Sequence, residues 1–361
     1  MQEKNYTNES AIREAIQSIA VGPDRGRDIS RELASQVMRA ILRSDVDDVQ
    51  AAIFLIALRM KRESMDEFAG IFDALADQVV PITASVDRVV CLADPFDGYV
   101  RSVPMTPFLP AVLAALGVSA VLHGVESVGP KHGVTAHKVY RLAGMNPLQS
   151  VAQAAAQLDS VGWAYVDQQV YAQQLASLAV LRDKMIKRTA VTTLERLLMP
   201  IRGRRTTHMV LGYVHSAYPE IYARIARQAG YDSVLLAKGV EGGLAPALNK
   251  PLRRFFFESD IPFDASSSKE IIAAERLFDA KQAALPASNA ESPVAECLDV
   301  GLKVLDGASG MARDSLCLAA GQIIFAHQPS LTLTQAVENV RDCLDNGTAK
   351  ARFYAMIEQA R

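Results

Sequence analysis

The chain is predicted to be an α/β protein, with an N-terminal helical bundle ahead of a larger domain built on a mainly parallel sheet. Three observations predict this. The first eighty residues carry helix-period patterning alone. Short apolar runs then alternate with helical stretches. From Pro293, capped by Ser292, the chain reads as helical to its end.

In the bundle, Val49, Ala52, Ile53, Ile56, Ala57 and Met60 recur at i, i+3, i+4, i+7, i+8 and i+11, which predicts one apolar stripe between Asp47 and Met60. The next helix opens on Ser64-Met65-Asp66-Glu67, a capping box whose hydroxyl and carboxylate satisfy orphan backbone donors. Strands are predicted at Val89–Leu92, Val118–Leu122, Ala164–Val166, Met209–Val214 and Val234–Ala237. Between them, Thr106–Leu116 closed by Gly117 and Pro219–Ala229 closed by Gly230 read as helices. Residues 263–293, rich in Ser, Ala and Asp with Pro286 and Pro293, read as a connection with a partly helical middle. The boundaries are a bundle at 1–85, rejoined by a helical segment near 168–187, and an α/β domain with C-terminal helices at 86–361. The pattern shows no internal repeat.

Composition narrows the class. In 361 residues, 50% apolar and 22% charged, there is ample material for a buried core. Cys91, Cys297, Cys317 and Cys343 lack CxxC spacing, which argues against zinc or a disulfide framework and suits a reducing compartment. The N-terminus lacks the basic and apolar regions of a signal peptide, and no apolar run approaches the ~18 residues of a membrane span. A cytoplasmic protein without membrane contact is expected.

The net charge of −2 hides a lopsided distribution. Residues 1–87 hold 15 acids against 10 bases, whereas residues 182–205 hold eight bases against two acids. Those eight are Arg182, Lys184, Lys187, Arg188, Arg196, Arg202, Arg204 and Arg205. Charge runs are commonly solvated faces, but two acids cannot neutralise eight cations locally. Arginine, which outnumbers lysine six to two here, carries a planar fork suited to phosphate. Lys250, Arg253 and Arg254 form a second small cluster.

Three stretches carry a resemblance. Asp47–Lys61 with Glu63, Ser64 and Glu67 is similar to the helical-domain signature of the anthranilate phosphoribosyltransferase family, shared with pyrimidine nucleoside phosphorylases. Leu122-His123-Gly124-Val125-Glu126-Ser127-Val128, then Lys131 and Gly133, resembles the family's Lys-His-Gly-Asn-Arg-Ser-Val pocket stretch. Arg182, six residues before Arg188-Thr189, looks like the arginine that holds the aromatic acid's carboxylate, followed by the Arg-Thr that opens the next element. Together they span about residues 10–260 in order, and they imply a nucleoside phosphorylase/phosphoribosyltransferase-like fold.

The same resemblance exposes what is missing. The family cradles donor phosphates on Gly-Thr-Gly-Gly-Asp-Gly, where bare backbone brings N–H groups to phosphate oxygens. Here the stretch is Ala93-Asp94-Pro95-Phe96-Asp97-Gly98, with three glycines lost, a proline in place of a donor, and an added acid. Asn-Ile-Ser-Thr becomes Val103-Pro104-Met105-Thr106. The Asp-Glu pair that seats Mg²⁺ is absent from Gly242-Gly243-Leu244-Ala245-Pro246, although Glu241 stands nearby. No cofactor is expected, with Mg²⁺ only if transfer persists.

The resemblance to a non-biosynthetic branch implies homodimers, joined through the helical domain, that bind DNA or RNA without sequence preference through the 182–205 surface. Two competing readings use the remnant pocket of Asp97, Gly98, Thr106, His123, Gly124 and Lys131. One, with Arg182 also in the pocket, is a glycosyl or phosphoribosyl transferase with an altered donor site; the other is a small-anion sensor. His123 and His132 flank that pocket with no acid at triad spacing. His208, His215, Trp163 and the cysteines read as structural.

Overall fold

The computed structural model describes residues 7–22, 24–258, 261, 264 and 268–361. The N-terminal hexapeptide and residues 263 and 265–267 of the connecting stretch lie outside the described residues. The bundle comprises α1 (Asn8–Ile19), α2 (Arg31–Leu42), α3 (Asp48–Lys61) and α4 (Met65–Ala76). The capping box at the start of α4 is present in both directions. Its Glu67 is fully buried and also accepts the Ile29 N–H at 3.0 Å and the Lys61 ammonium at 2.9 Å. One carboxylate thus ties α4 to the start of α2 and the end of α3.

The α3 stripe is a correction. Ala51, Phe54, Leu55 and Leu58 face the core, at i, i+3, i+4 and i+7. Val49 and Met60 of the expected stripe are 66% and 74% exposed, and Ile53 is exposed too. The helix is apolar on two faces, so periodicity alone could not choose between them.

The larger domain is a seven-stranded sheet in the order β4-β3-β2-β6-β7-β8-β9. These strands are β2 (Arg88–Ala93), β3 (Ala120–Gly124), β4 (Trp163–Asp167), β6 (Thr206–Tyr213), β7 (Ser233–Lys238), β8 (Leu252–Glu258) and β9 (Lys269–Ile272). The first five in spatial order are parallel, and β8 and β9 add an antiparallel edge. A separate parallel pair joins β1 (Ile82–Thr83) to β5 (Ile201–Arg202).

Strand alternation divides the interior into two cores. Val89, Cys91 and Ala93 of β2 face the bundle side, whereas Val90 and Leu92 face the other. On the bundle side lie α7 (Val151–Val161) and α12 (Tyr218–Ala229). The opposite face is covered by α5 (Leu109–Ala115), α6 (Ala136–Leu142) and the C-terminal helices α13 (Pro293–Leu305), α14 (Met311–His327), α15 (Leu333–Asp345) and α16 (Thr348–Gln359).

The rejoining segment runs past its expected end. It contains α8 (Gln168–Tyr171), α9 (Gln173–Ser177), α10 (Ala179–Met185) and α11 (Ala190–Leu194), and both α10 and α11 pack on α3. Strands β8 and β9 went unpredicted because Leu-Arg-Arg-Phe-Phe-Phe-Glu shows no alternation. Arg254 within it is buried, paired with Glu270 at 2.7 Å and donating to the Gln322 carbonyl at 3.2 Å.

Candidate ligand cleft

A cavity of about 470 Å³ opens where the C-terminal ends of β2 and β6 meet α3, α11 and α12. Ligands of open parallel sheets gather at this edge. Its walls carry Arg59, Arg101, Lys131, Arg188 and Arg196 against the acids Asp97 and Glu241, with Phe96, Tyr213, Tyr218 and Tyr222 supplying flat apolar surface. Five cations facing two acids favour an anionic visitor.

The 93–98 turn is closed by its own side chains. The Asp94 carboxylate is buried beneath the turn. It accepts the Tyr99 hydroxyl at 2.8 Å, the Thr106 hydroxyl and the Leu244 N–H at 3.1 Å. Burial pushes its carboxyl above the usual range, opposed by those hydrogen bonds. Pro95 and Phe96 stand between the main cleft and a void of only about 20 Å³.

This partition corrects the remnant pocket. Asp97 and Lys131 line the main cleft. His123 and Gly124 line only the small void, and Thr106 lines neither, being spent on Asp94. Gly98 lies at φ 75° with the Gly133 and Val134 backbone against it, a packing position.

Glu241 went unrecognised as a site residue because its partners lie about 140 residues away in sequence. Its carboxylate accepts three successive N–H groups, from Val100 at 3.3 Å, Arg101 at 3.0 Å and Ser102 at 3.1 Å. The Ser102 hydroxyl adds 2.9 Å and the Lys131 ammonium 3.5 Å. Although burial opposes it, these donors hold the carboxyl below its ordinary range. Glu241 sits at φ 53°, a left-handed conformation costing about 1–3 kcal/mol in a non-glycine residue. Asp97 is likewise covered, by Arg188 at 2.5 Å and Lys131 at 3.4 Å. Both acids of the cleft are therefore engaged by cations or amides, and neither presents a free carboxylate pair of the kind Mg²⁺ requires. Among the described residues no cluster of three His, Cys, Asp or Glu suits a metal.

The basic stretch does not form one face, which corrects a second expectation. Arg182 is buried and forks onto the fully buried Glu195 at 2.6 and 2.7 Å. Arg196 is buried too, donating to the carbonyls of Ala93 at 2.8 Å and Gly212 at 3.2 Å. Neither presents its charge on the surface. Lys184, Lys187 and Arg188 remain exposed near the cleft. Arg202, Arg204 and Arg205 are exposed at the opposite edge, before β6 begins. Eight residues of β6, about 23 Å at strand rise, separate the two groups. Near the second group Asp87 offers opposite charge, bonded to Arg204 at 2.5 Å and to Arg205 at 3.5 Å. Arg205 remains 79% exposed.

Of the histidines, His123 is buried with its Nδ1 2.9 Å from the Tyr171 hydroxyl, whereas His215, read from the sequence as structural, stands in the wall of the cleft. His132 meets Asp183 at 3.3 Å and Ser127 at 3.1 Å, an acid brought from 51 residues away that local spacing could not reveal. Burial lowers His123 to about 3 and His327 to about 3, and His208 falls to about 4. With folded values below the ordinary 6.5, the unfolded chain takes up protons first. Stability is expected to be complete above about pH 6.5 and to decline as pH falls toward 4. Asp94, Glu63 and Asp314, each raised by burial, act in the opposite sense from the carboxylate side of that range, while Glu241, held below its ordinary range, acts with the histidines. Urea midpoints measured from pH 8 to 4 check this, and a midpoint constant across that range contradicts it.

Residues 12–79 match the helical bundle domain of the glycosyl transferase family, and residues 100–350 match the a/b domain of the same family. An uncharacterized protein of Aquifex aeolicus is 27% identical over 228 residues, 63% of this chain and 68% of its own. The anthranilate phosphoribosyltransferase of Nitrosomonas europaea is 25% identical over 332 residues, 92% and 94% of the two chains. The Saccharomyces cerevisiae anthranilate phosphoribosyltransferase, solved in complex with PRPP and Mg, superposes with a TM-score of 0.79 at 12% identity, covering 98% of both chains.

Proposed function

From the premise that this chain belongs to the glycosyl transferase family that includes the anthranilate phosphoribosyltransferases, we propose that it no longer transfers a phosphoribosyl group. One observation carries this reading: the groups that would meet donor and acceptor are already paired inside the chain. Asp94, Tyr99 and Thr106 fill the donor turn. The arginine expected to hold the acceptor's carboxylate, Arg182, holds Glu195 instead. A phosphoribosyl diphosphate bearing roughly four negative charges would have to settle beside a turn carrying Asp94, without a paired-carboxylate metal seat.

In place of transfer, the chain binds DNA or RNA through charge alone. The support is the set of cations that the fold leaves exposed: Lys184, Lys187 and Arg188 at one edge of the sheet, and Arg202, Arg204 and Arg205 at the other. Arginine-rich surface without base-reading elements suits phosphate neutralisation by counterion release. Exposed Val49, Ile53 and Met60 on α3 supply an apolar patch through which two copies pair, doubling the cationic surface. The four cysteines are all buried and free, in keeping with the cytoplasm.

The test is a mobility-shift titration with a random duplex and a random single strand across salt. Engagement of all six exposed cations gives a log–log slope of about −5, and of one edge alone about −3. A flat salt response refutes the nucleic-acid reading.

A further inference from the structure

We propose that Ser127, His132 and Asp183 form a serine-nucleophile triad, an esterase site that acts on small carboxylic esters at the protein surface. None of the three lines the cleft, and none is among the exposed cations of the nucleic-acid reading.

Nucleophile, base and orienter stand in a row. The Ser127 hydroxyl lies 3.1 Å from His132 Nδ1, and His132 Nε2 lies 3.3 Å from Asp183 Oδ1. A carboxylate on Nε2 keeps the proton on that nitrogen and leaves the Nδ1 lone pair for the serine. The ring is used in the reverse sense of the serine proteases, where Nε2 faces the nucleophile. Asp183 is fixed in turn by the Gly129 N–H at 3.0 Å. It stands on α10, so two separate parts of the fold build the site.

The backbone around the base is held in place. His132 has φ 50°, a left-handed value unfavourable outside glycine, and such strain gathers at working sites. The Lys138 ammonium pins it, donating to the His132 carbonyl at 3.1 Å and the Gly133 carbonyl at 2.8 Å. The Ser127 and Val128 N–H groups have no protein partner among the described residues, so both are available to an oxyanion. In the α/β-hydrolases the amide after the nucleophile serves that purpose. His132 and Asp183 are 48% and 47% exposed, so an ester with a short acyl group reaches the serine directly.

The reaction is hydrolysis. Ser127 Oγ adds to the ester carbonyl carbon as His132 Nδ1 takes its proton. The bond to the alkoxide breaks, and that proton leaves with it as the alcohol. Water, giving a proton to the same nitrogen, then adds to the acyl-serine. Cleavage of the acyl-serine bond returns the proton to Oγ and releases the carboxylic acid.

The test treats the full chain with a fluorophosphonate probe and locates the adduct by mass spectrometry, with p-nitrophenyl acetate hydrolysis followed in parallel. Folded wild type is expected to carry one adduct, on Ser127, and the urea-unfolded chain none. Ser127→Ala should lose both the adduct and the hydrolysis above background. His132→Gln should slow labelling about a hundredfold or more, the contribution of a positioned general base. Asp183, a positioning residue, should give slower labelling as Asp183→Asn and recover most of the rate as Asp183→Glu. A wild-type chain that stays unlabelled, or is labelled elsewhere, overturns the proposal without any variant having to fold. So does wild-type ester hydrolysis by Ser127→Ala, or wild-type labelling of His132→Gln or Asp183→Asn. Nucleic-acid binding enters none of these readouts, so the two readings fail separately.

Discussion

Arg202→Glu combined with Arg204→Glu is expected to abolish nucleic-acid binding in the mobility-shift assay while the fold persists. The pair changes the charge of one loop by −4 per protomer and leaves Asp87 beside two new acids. Binding through about six phosphates loses roughly three orders of magnitude between 50 and 200 mM salt, so reversing two contacts is enough to remove it at physiological strength. Both side chains are exposed, Arg202 donating to the Thr83 hydroxyl and Arg204 to Asp87, and exposed pairs of this kind contribute little stability. Retained binding would move the interface to the Lys184, Lys187 and Arg188 edge. Charge reversal of Lys184 and Lys187 is the matching control, because Arg188 also holds the buried Asp97.

Arg182→Ala is expected to destabilise the protein by about 3–5 kcal/mol, because it strands the Glu195 carboxylate in the core. Glu195 is fully buried, and its remaining polar partner is the Gln168 amide at 3.1 Å. Replacing both members of the pair by apolar residues of similar size, Arg182→Met with Glu195→Leu, should recover most of that loss. Urea denaturation reads both. A change below about 1 kcal/mol in the single variant would mean the pair is not the buried anchor described above. The same experiment separates the internal role of Arg182 from any contact with nucleic acid, since an exposed contact residue would weaken binding without lowering stability.

Most of the fold was legible in the sequence because its elements are punctuated. Gly230 closes α12 at φ 85°, and Ser64 with Glu67 opens α4, as patterned. All five parallel strands fall where short apolar runs predicted them. What escaped was anything decided by tertiary choice. Helix α3 carries apolar residues on two faces, and only packing selected Phe54 and Leu58 over Val49 and Met60. The basic run looked like one strip because the chain is linear. Folding buried Arg182 and Arg196 and sent the remaining cations to opposite ends of β6. In the cleft, the replacement of three glycines at 93–98 was readable directly from the sequence. The carboxylates that close the site, Glu195 on Arg182 and Glu241 on the 100–102 amides, are long-range partners that spacing does not report.

The central claim is that a transferase site has been closed by the chain's own side chains. Incubation with phosphoribosyl diphosphate, Mg²⁺ and a panel of aromatic acids, with released diphosphate measured against a protein-free control, tests it most directly. The donor is expected to be recovered intact with every acid. Diphosphate release above the control that depends on both Mg²⁺ and one of the acids would contradict it.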